Sequence, residues 1–128
     1  MTKVLIVDDQ AGWRNFNSNT VYEILGTDIT LNTASSAKEG YSKLLESKGQ
    51  PYDYLFTDMQ MESDFAPKMA GEWLIEQAQN LTFCYNTKIT IVSAAPRIKH
   101  IAEAYGVDYI PKSVAVVSLE PFKDLLSH

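Results

Sequence analysis

The sequence predicts an α/β fold in which a five-stranded parallel sheet carries helices on both faces. Five short runs rich in β-branched or aromatic residues start about 20 to 35 residues apart, which is too long for hairpins and suits crossover helices. The segments between these runs have apolar residues at helical spacing. Two of the runs show little polar alternation, as expected for strands covered by helices on both faces.

The predicted strands are short, and each is bounded by a helical or turn-rich segment. They are Lys3–Val7, Ile29–Ala34, Tyr52–Thr57, Lys88–Ser93 and Asp108–Pro111. The first and fourth are the runs that lack polar alternation, so we expect helices above and below them.

The first two predicted helices have clear end signals. Trp13 opens an apolar series at three- to four-residue spacing that stops at Gly26. Ser36 is a plausible N-cap for the next helix, with Glu39 three residues later to form a capping box, and Gly49 is expected to end that helix.

Three more helices complete an alternating order of five strands and five helices. The third is predicted over about residues 70–81. The fourth has Pro96 at its first helical position and ends at Gly106. The last begins near Ser118 and accommodates Pro121 in its first turn.

Composition bounds the function classes. A chain of 128 residues with 45% hydrophobic residues can bury one core without crosslinks, so we expect a single domain over residues 1–128. Its 11 Lys and Arg residues against 16 Asp and Glu residues give a net charge of −5. That charge gives no electrostatic reason to approach nucleic acid or anionic lipid.

The location of the protein is also constrained. Cys84 is the single cysteine, so the chain cannot form an internal disulfide. No run of about 18 apolar residues could span a bilayer, and the start of the chain reaches two aspartates too soon for a signal peptide. We therefore expect a cytoplasmic protein.

Polar side chains follow four of the five predicted strands. Asp8 and Asp9 follow the first strand, Asp58 the third, Ser93 ends the fourth and Lys112 follows the fifth. In open α/β sheets ligands bind beyond the carboxyl ends of the strands, at the switch in strand order. With the order 2-1-3-4-5, the three carboxylates would converge there. Like charges raise each other's pKa, and a divalent cation with few oxygen ligands, Mg²⁺ rather than Ca²⁺, would relieve that conflict.

This ordered set resembles the receiver domain of two-component response regulators, over nearly the whole chain. The resemblance implies a doubly wound, flavodoxin-like (βα)5 fold in which Asp58 accepts a phosphoryl group. It implies that Asp9 binds Mg²⁺ directly, Asp8 largely through water, and the carbonyl of Gln60 as well. Lys112 matches the lysine that pairs with the phosphate.

Two further residues match the family's switch positions. Ser93 matches the hydroxyl residue that moves on phosphorylation, and Ala94 beside it is small enough to leave room for a phosphoryl group. Tyr109 matches the aromatic switch three residues before the lysine. The family's chemistry then predicts Mg²⁺-dependent transfer from a phosphohistidine, with Asp58 as the nucleophile.

The resemblance also predicts the partners. A histidine kinase or a histidine phosphotransfer protein would donate the phosphoryl group, and a downstream protein would read the result. The chain would be a signalling domain that promotes its own phosphorylation and dephosphorylation rather than an enzyme with a separate substrate. We expect no output domain within residues 1–128, so the chain would act through a protein partner, relay phosphate to a histidine phosphotransfer protein, or be a fragment of a longer chain. The face formed by the fourth helix, the fifth strand and the last helix is a candidate homodimer interface.

Each site residue also has a structural interpretation. Asp8 and Asp9 could form a solvated turn or cap the first helix, and Lys112 could be an ordinary surface lysine. Ser93 could cap the fourth helix, and Tyr109 could be a plain packing residue. The remaining candidates, which lack metal or nucleophile spacing and are read as structural or solvated, are Cys84, His100 and His128.

Two alternative functions remain open from the sequence. One is a Mg²⁺-dependent phosphohydrolase with an aspartate nucleophile, although such enzymes generally carry a second aspartate where Gln60 stands here. The other is a flavodoxin-like binding module that works without phosphorylation, although no glycine-rich phosphate loop follows the first strand.

The sequence departs from the family pattern at two places. Residues Glu62 to Ala66 look like an insertion beside the acidic site, either a longer solvated loop or a segment that changes access to Asp58. Ser113 follows Lys112 where the family has proline, and Val114 to Val117 lengthen the connection to the last helix. Gln60, which can orient water, is expected to influence the lifetime of the phosphoryl group.

Overall fold

The computed structural model describes residues 1–61 and 70–127. Five parallel strands form one sheet with the order β2-β1-β3-β4-β5, as predicted. The strands are β1 (Lys3–Val7), β2 (Thr30–Ala34), β3 (Tyr54–Thr57), β4 (Lys88–Ser93) and β5 (Asp108–Pro111). Three of them have the predicted bounds. The predicted starts of the other two, at Ile29 and Tyr52, lie one and two residues too early.

A helix follows each of the first four strands, and two helices follow β5. The helices are α1 (Ala11–Leu25), α2 (Ala37–Glu46), α3 (Ala70–Asn80), α4 (Ile98–Tyr105), α5 (Lys112–Ala115) and α6 (Glu120–Leu126), with a 3₁₀ turn at Thr82–Cys84. The inserted residues Glu62 to Ala66 lie outside the described residues. No helix among residues 1–61 and 70–127 is long and apolar enough to cross a bilayer.

The sheet has a hydrophobic core on each face. Leu5 and Val7 of β1 pack into the cluster formed with α2, α3 and α4. Val4 and Ile6 point the other way, into the cluster formed with α1 and α6. Because successive side chains of a strand alternate between faces, an unbroken apolar strand supplies both cores. This two-sided packing holds the carboxyl ends of the strands in a fixed arrangement.

The ends of α1 and α2 agree with the sequence signals in part. Gly26 has φ 85° and ends α1, and its N–H donates to the carbonyl of Tyr22. The Ser36 hydroxyl accepts the N–H of Glu39 at 3.1 Å, while the Glu39 carboxylate accepts the N–H of Ser35 rather than that of Ser36. The prediction that Gly49 ends α2 is wrong.

α2 ends at Glu46 because the next residue turns back on the helix. The N–H of Ser47 donates to the carbonyl of Leu44 at 3.1 Å, and the Ser47 hydroxyl donates to the same carbonyl at 2.6 Å. A serine that bonds its own preceding turn competes with helix continuation.

Pro96 does not occupy the first position of α4, contrary to the prediction. The helix begins at Ile98, with Arg97 as its N-cap. The N–H of Ile98 donates to the carbonyl of Ala95, which closes a turn over residues 95–98 before the helix starts. Gly106, with φ 67°, ends α4 in the left-handed conformation as predicted.

The connection after β5 contains a helical turn that the sequence did not predict. α5 begins at Lys112, and the N–H of Val116 donates to the Lys112 carbonyl at 3.3 Å. α6 begins at Glu120 rather than at Ser118, whose hydroxyl instead accepts the N–H of Glu120 at 3.1 Å. Pro121 lies in the first turn of α6, as predicted.

Candidate functional site

Three carboxylates meet where β1 and β3 end side by side. The backbone ladder continues one residue past each strand, with the N–H of Asp8 donating to Ala34 and that of Asp58 donating to Val7. One ligand atom from each of Asp8, Asp9 and Asp58 lies within 4.8 Å of the others. Asp8 and Asp58 are 1% and 6% exposed, whereas Asp9 is open to solvent. The predicted convergence of the three aspartates is confirmed.

Lys112 completes the cluster from the end of β5. Its Nζ lies 3.0 Å from Asp8 Oδ2 and 3.0 Å from Asp58 Oδ2. The residue is only 8% exposed. An ordinary surface lysine would keep its ammonium in water, so this interpretation of Lys112 is wrong.

Backbone donors orient the two buried carboxylates. Asp8 Oδ1 accepts the N–H of Gln10 at 2.9 Å, and Asp58 Oδ1 accepts the N–H of Met59 at 2.7 Å. Each carboxylate therefore presents its other oxygen, Oδ2, to Lys112. Neither Asp8 nor Asp9 caps α1, because the N-cap residue is Gln10 and makes no side-chain cap.

The electrostatic environment is unfavourable for the Asp8 anion. Burial is the main cause that raises the pKa of Asp8, and the charge of Asp58 adds to it. The Gln10 N–H and Lys112 act in the opposite direction. Among the residues that the structure describes, Lys112 is the one cation that pairs with these carboxylates, so three negative charges meet one positive charge. The two remaining negative charges match a divalent cation, and their oxygen donors are of the type that Mg²⁺ takes.

Comparison with solved structures identifies the fold. The chain matches a CheY from Borrelia burgdorferi, solved as a complex with CheX, beryllofluoride and Mg²⁺, with a TM-score of 0.72 at 20% identity over 98% of this chain and 87% of that one. It matches a CheY-like receiver domain from Methanospirillum hungatei with a TM-score of 0.67 at 23% identity over 99% and 94% of the two chains. The response regulatory domain of MrkE from Klebsiella pneumoniae matches with a TM-score of 0.73 at 16% identity over 98% and 93%.

The chain has the fold of a response regulator receiver domain. No protein-family profile matches the sequence. No curated protein matches it either. At these low identities, the structural likeness establishes the fold.

Ser93 lies at the end of β4, in the strand beside β3 of the receiver fold. It is 1% exposed, and its hydroxyl accepts the N–H of Ala95 at 3.0 Å. This bond stabilises the turn after β4, and α4 starts only at Ile98. The interpretation of Ser93 as the cap of α4 is therefore wrong. Ala94, the small neighbour, is exposed.

The other two predicted residues lie around this edge of the receiver fold. Tyr109 pairs in register with Ile91 of β4, is half-buried, and packs against the core beneath α4. Gln60 is exposed and lines a cavity of about 390 Å³ together with α3, α4 and the turn before α4. His100, on α4, lines the same cavity, and Cys84 is buried elsewhere, where burial raises the pKa of its thiol.

Sequence reasoning missed two side chains of α1 at this site. The indole of Trp13 lies against the ammonium of Lys112, with 4.7 Å between Nζ and the ring centroid. Arg14 Nη1 donates to the main-chain carbonyl of Asp8 at 2.8 Å. Both residues lie in the first turn of α1, which begins one residue after the Asp8-Asp9 pair and Gln10. This short spacing could have indicated that they lie near the acidic site.

Gly71 contributes to the site from the start of α3. A Cβ at this position would lie 2.1 Å from the carbonyl oxygen of Asp58 and 2.7 Å from the Cα of Met59. The N–H of Gly71 donates to the Met59 carbonyl at 3.0 Å. The start of α3 therefore rests directly on the backbone that carries Asp58, at a distance that only glycine permits.

Proposed function

We propose that this protein is a phosphoacceptor switch of a two-component or phosphorelay system, with Asp58 as the residue that takes the phosphoryl group. The observation that carries the proposal is the Asp58 carboxylate, held by a backbone N–H on one oxygen and by Lys112 on the other. Asp8 and Asp9 lie beside it at the same edge of the sheet.

The proposed metal is Mg²⁺, and the donor set fits it. Asp8, Asp9 and Asp58 would hold the ion together with the main-chain carbonyl of Gln60. When bound, the ion would neutralise charge on the carboxylates and on the incoming phosphoryl oxygens. The raised pKa of Asp8 supports the proposal, because a buried anion beside another carboxylate is stabilised by a cation.

In the proposed reaction, an oxygen of Asp58 attacks the phosphorus of a phosphohistidine. A new P–O bond forms, the P–N bond breaks, and the electron pair stays on the imidazole nitrogen, which takes up a proton. The donor is a histidine kinase or a histidine phosphotransfer protein. The Met59 N–H keeps the Asp58 carboxylate oriented, and Lys112, already within 3.0 Å, supplies positive charge next to the transferred group.

The proposed switch uses Ser93 and Tyr109. The Ser93 hydroxyl accepts a hydrogen bond from Ala95, so its own proton can be donated to a phosphoryl oxygen. A shift of Ser93 toward the phosphoryl group would break that bond and release the turn after β4. Tyr109, the half-buried second residue of β5, would then move into the vacated space. The face of α4, β5 and α6 would change with it and present a new surface to a downstream protein or a second copy.

The similarity to the Borrelia burgdorferi structure supports the choice of ligand. That CheY was solved with Mg²⁺ and beryllofluoride. Here the same fold carries three aspartates and a lysine at the carboxyl edge of its sheet.

The test is exposure of the protein to acetyl phosphate with and without Mg²⁺, followed by intact mass. We expect a gain of one phosphoryl group that requires Mg²⁺, is lost in Asp58→Asn, and persists in Asp28→Asn. Asp28 is a matched control because it is an exposed aspartate in the turn before β2. A mass gain that persists in Asp58→Asn would refute the assignment. Repeated turnover of a small phosphate ester would instead indicate a phosphohydrolase.

A further inference from the structure

We propose that Trp13 is a positioning residue that holds the ammonium of Lys112 beside Asp58. This inference rests on the function proposed above. It concerns a side chain outside the ordered set of acids, hydroxyl and lysine that follows the strands.

The contact is close and shielded from water. The Lys112 ammonium lies 4.7 Å from the centroid of the Trp13 ring and 3.0 Å from the oxygens of Asp8 and Asp58. Lys112 is 8% exposed and Trp13 is partly buried. An ammonium over an indole face is attracted by the ring's electron density, and this attraction grows when water is excluded.

The indole is itself held in place. Phe16 contacts the Trp13 ring edge-on, with 5.1 Å between the centroids and 69° between the planes. One residue further along α1, Arg14 ties the first helical turn to the Asp8 carbonyl at 2.8 Å. The indole ring of Trp13 is therefore held in a fixed position relative to the end of β1.

Lys112 needs the contact with Trp13 because a bound cation would compete for its other partners, the carboxylates of Asp8 and Asp58. Its side chain is long and flexible, and the two carboxylates that attract it are also the expected ligands of a cation. A cation bound to these carboxylates weakens their hold on the ammonium. The Trp13 ring has no charge that a cation neutralises, so it keeps Lys112 in the pocket in either condition.

The first experiment compares the rate of phosphorylation by acetyl phosphate, at saturating Mg²⁺, in Trp13→Leu, Trp13→Phe and Trp73→Leu. We expect a loss of about tenfold with Leu and about threefold with Phe, because benzene rings attract cations less than indole does. Trp73 is the matched control, because it is also an indole in an edge-on ring contact. Its ring, on α3, lies 5.5 Å from that of Tyr41 on α2. That variant should keep the wild-type rate.

The second experiment needs neither metal nor phosphate. The chain has two tryptophans, so Trp73→Phe leaves Trp13 as the sole indole emitter. In that background we expect Lys112→Met to change the emission of Trp13 in the metal-free protein. An unchanged spectrum would overturn the contact in solution.

The remaining outcomes separate this inference from the proposed function. Wild-type rates in Trp13→Leu, equal losses with Leu and Phe, or an equal loss in Trp73→Leu would overturn the positioning role and leave the proposed function intact. If circular dichroism shows that Trp13→Leu does not fold, the rate of Trp13→Phe and the emission experiment test the positioning role instead. If the wild-type protein takes no phosphate, the proposed function fails and this inference fails with it.

Discussion

The buried Asp8 carboxylate destabilises the fold, because burial and the nearby Asp58 both disfavour its negative charge. Its carboxylate is buried, lies beside Asp58, and has a raised pKa. A raised pKa means that the folded state holds the proton more tightly than the unfolded chain does. The contribution of Asp8 to the free energy of unfolding therefore falls as the pH rises above about 4, the ordinary range of a carboxyl group, and through the raised pKa.

We predict that Asp8→Asn stabilises the metal-free protein at pH 7 by about 1 kcal/mol. Asparagine can still accept the N–H of Gln10, and it removes the charge that burial disfavours. Urea unfolding at several pH values measures the effect, which should shrink toward acid pH. The exposed Asp9 gives the matched control, and Asp9→Asn should change stability less. A loss of stability in Asp8→Asn would mean that its ion pair with Lys112 outweighs the cost of burial.

The close contact between Gly71 and the backbone of Asp58 gives a second prediction for a single residue. Gly71→Ala would place a methyl group 2.1 Å from the carbonyl oxygen of Asp58, a backbone atom that cannot move aside cheaply. We expect a loss of about 2 kcal/mol in the free energy of unfolding, and slower phosphorylation because Asp58 is displaced. Chemical unfolding and intact mass check the two effects.

Gly12 supplies the control for this substitution. It also lies in a helix, but a Cβ there would have no atom within 4 Å. Gly12→Ala should be neutral or stabilising by up to about 1 kcal/mol, because alanine favours helix. Equal effects of the two substitutions would contradict the close packing of α3 on Asp58.

At the scale of elements, the left-handed end of α4 gives a specific expectation. Gly106 has φ 67°, and its N–H donates to carbonyls of the last turn. Gly106→Ala should lower the free energy of unfolding by about 1 kcal/mol, since alanine is strained in this conformation. Gly49→Ala, in open space and without a positive φ, should be close to neutral. Thermal unfolding of the two variants tests this expectation. Equal melting temperatures would contradict the left-handed conformation of Gly106 at the end of α4.

The elements also show what the sequence could and could not predict. The strands were predictable because their runs are rich in β-branched or aromatic residues, and two of them are unbroken apolar runs. The acidic cluster was predictable because parallel strands end at one edge of the sheet. The helix ends were less so. Ser47, which bonds back to Leu44, and the turn closed between Ala95 and Ile98 depend on local hydrogen bonds that composition does not reveal.

The contribution of α1 to the site was unpredictable for a different reason. Trp13 fits a helical apolar series, so periodicity assigns it to the core. Its contact with Lys112 joins residues far apart in the sequence, and only the tertiary fold brings them together. The one-turn helix α5 is likewise too short to have a periodicity of its own.

At the scale of the whole molecule, the site and the stability of the fold are linked. Three carboxylates with one ammonium form a repulsive cluster at the sheet edge, and a ligand that binds only the folded state stabilises it. We predict that Mg²⁺ raises the free energy of unfolding by about 2.7 kcal/mol at a concentration of about 100 Kd.

Denaturant unfolding with and without Mg²⁺ measures this linkage. The increase should be lost in Asp58→Asn and kept in Asp28→Asn. An equal increase in Asp58→Asn would place the cation elsewhere on the chain.

The most direct measurement is a crystal structure of the protein grown with Mg²⁺ and beryllofluoride. We expect beryllofluoride joined to a carboxylate oxygen of Asp58, the cation held by Asp9 and Asp58, and Lys112 in contact with the beryllofluoride. A bare Asp58 with either ligand bound at another site would contradict this expectation.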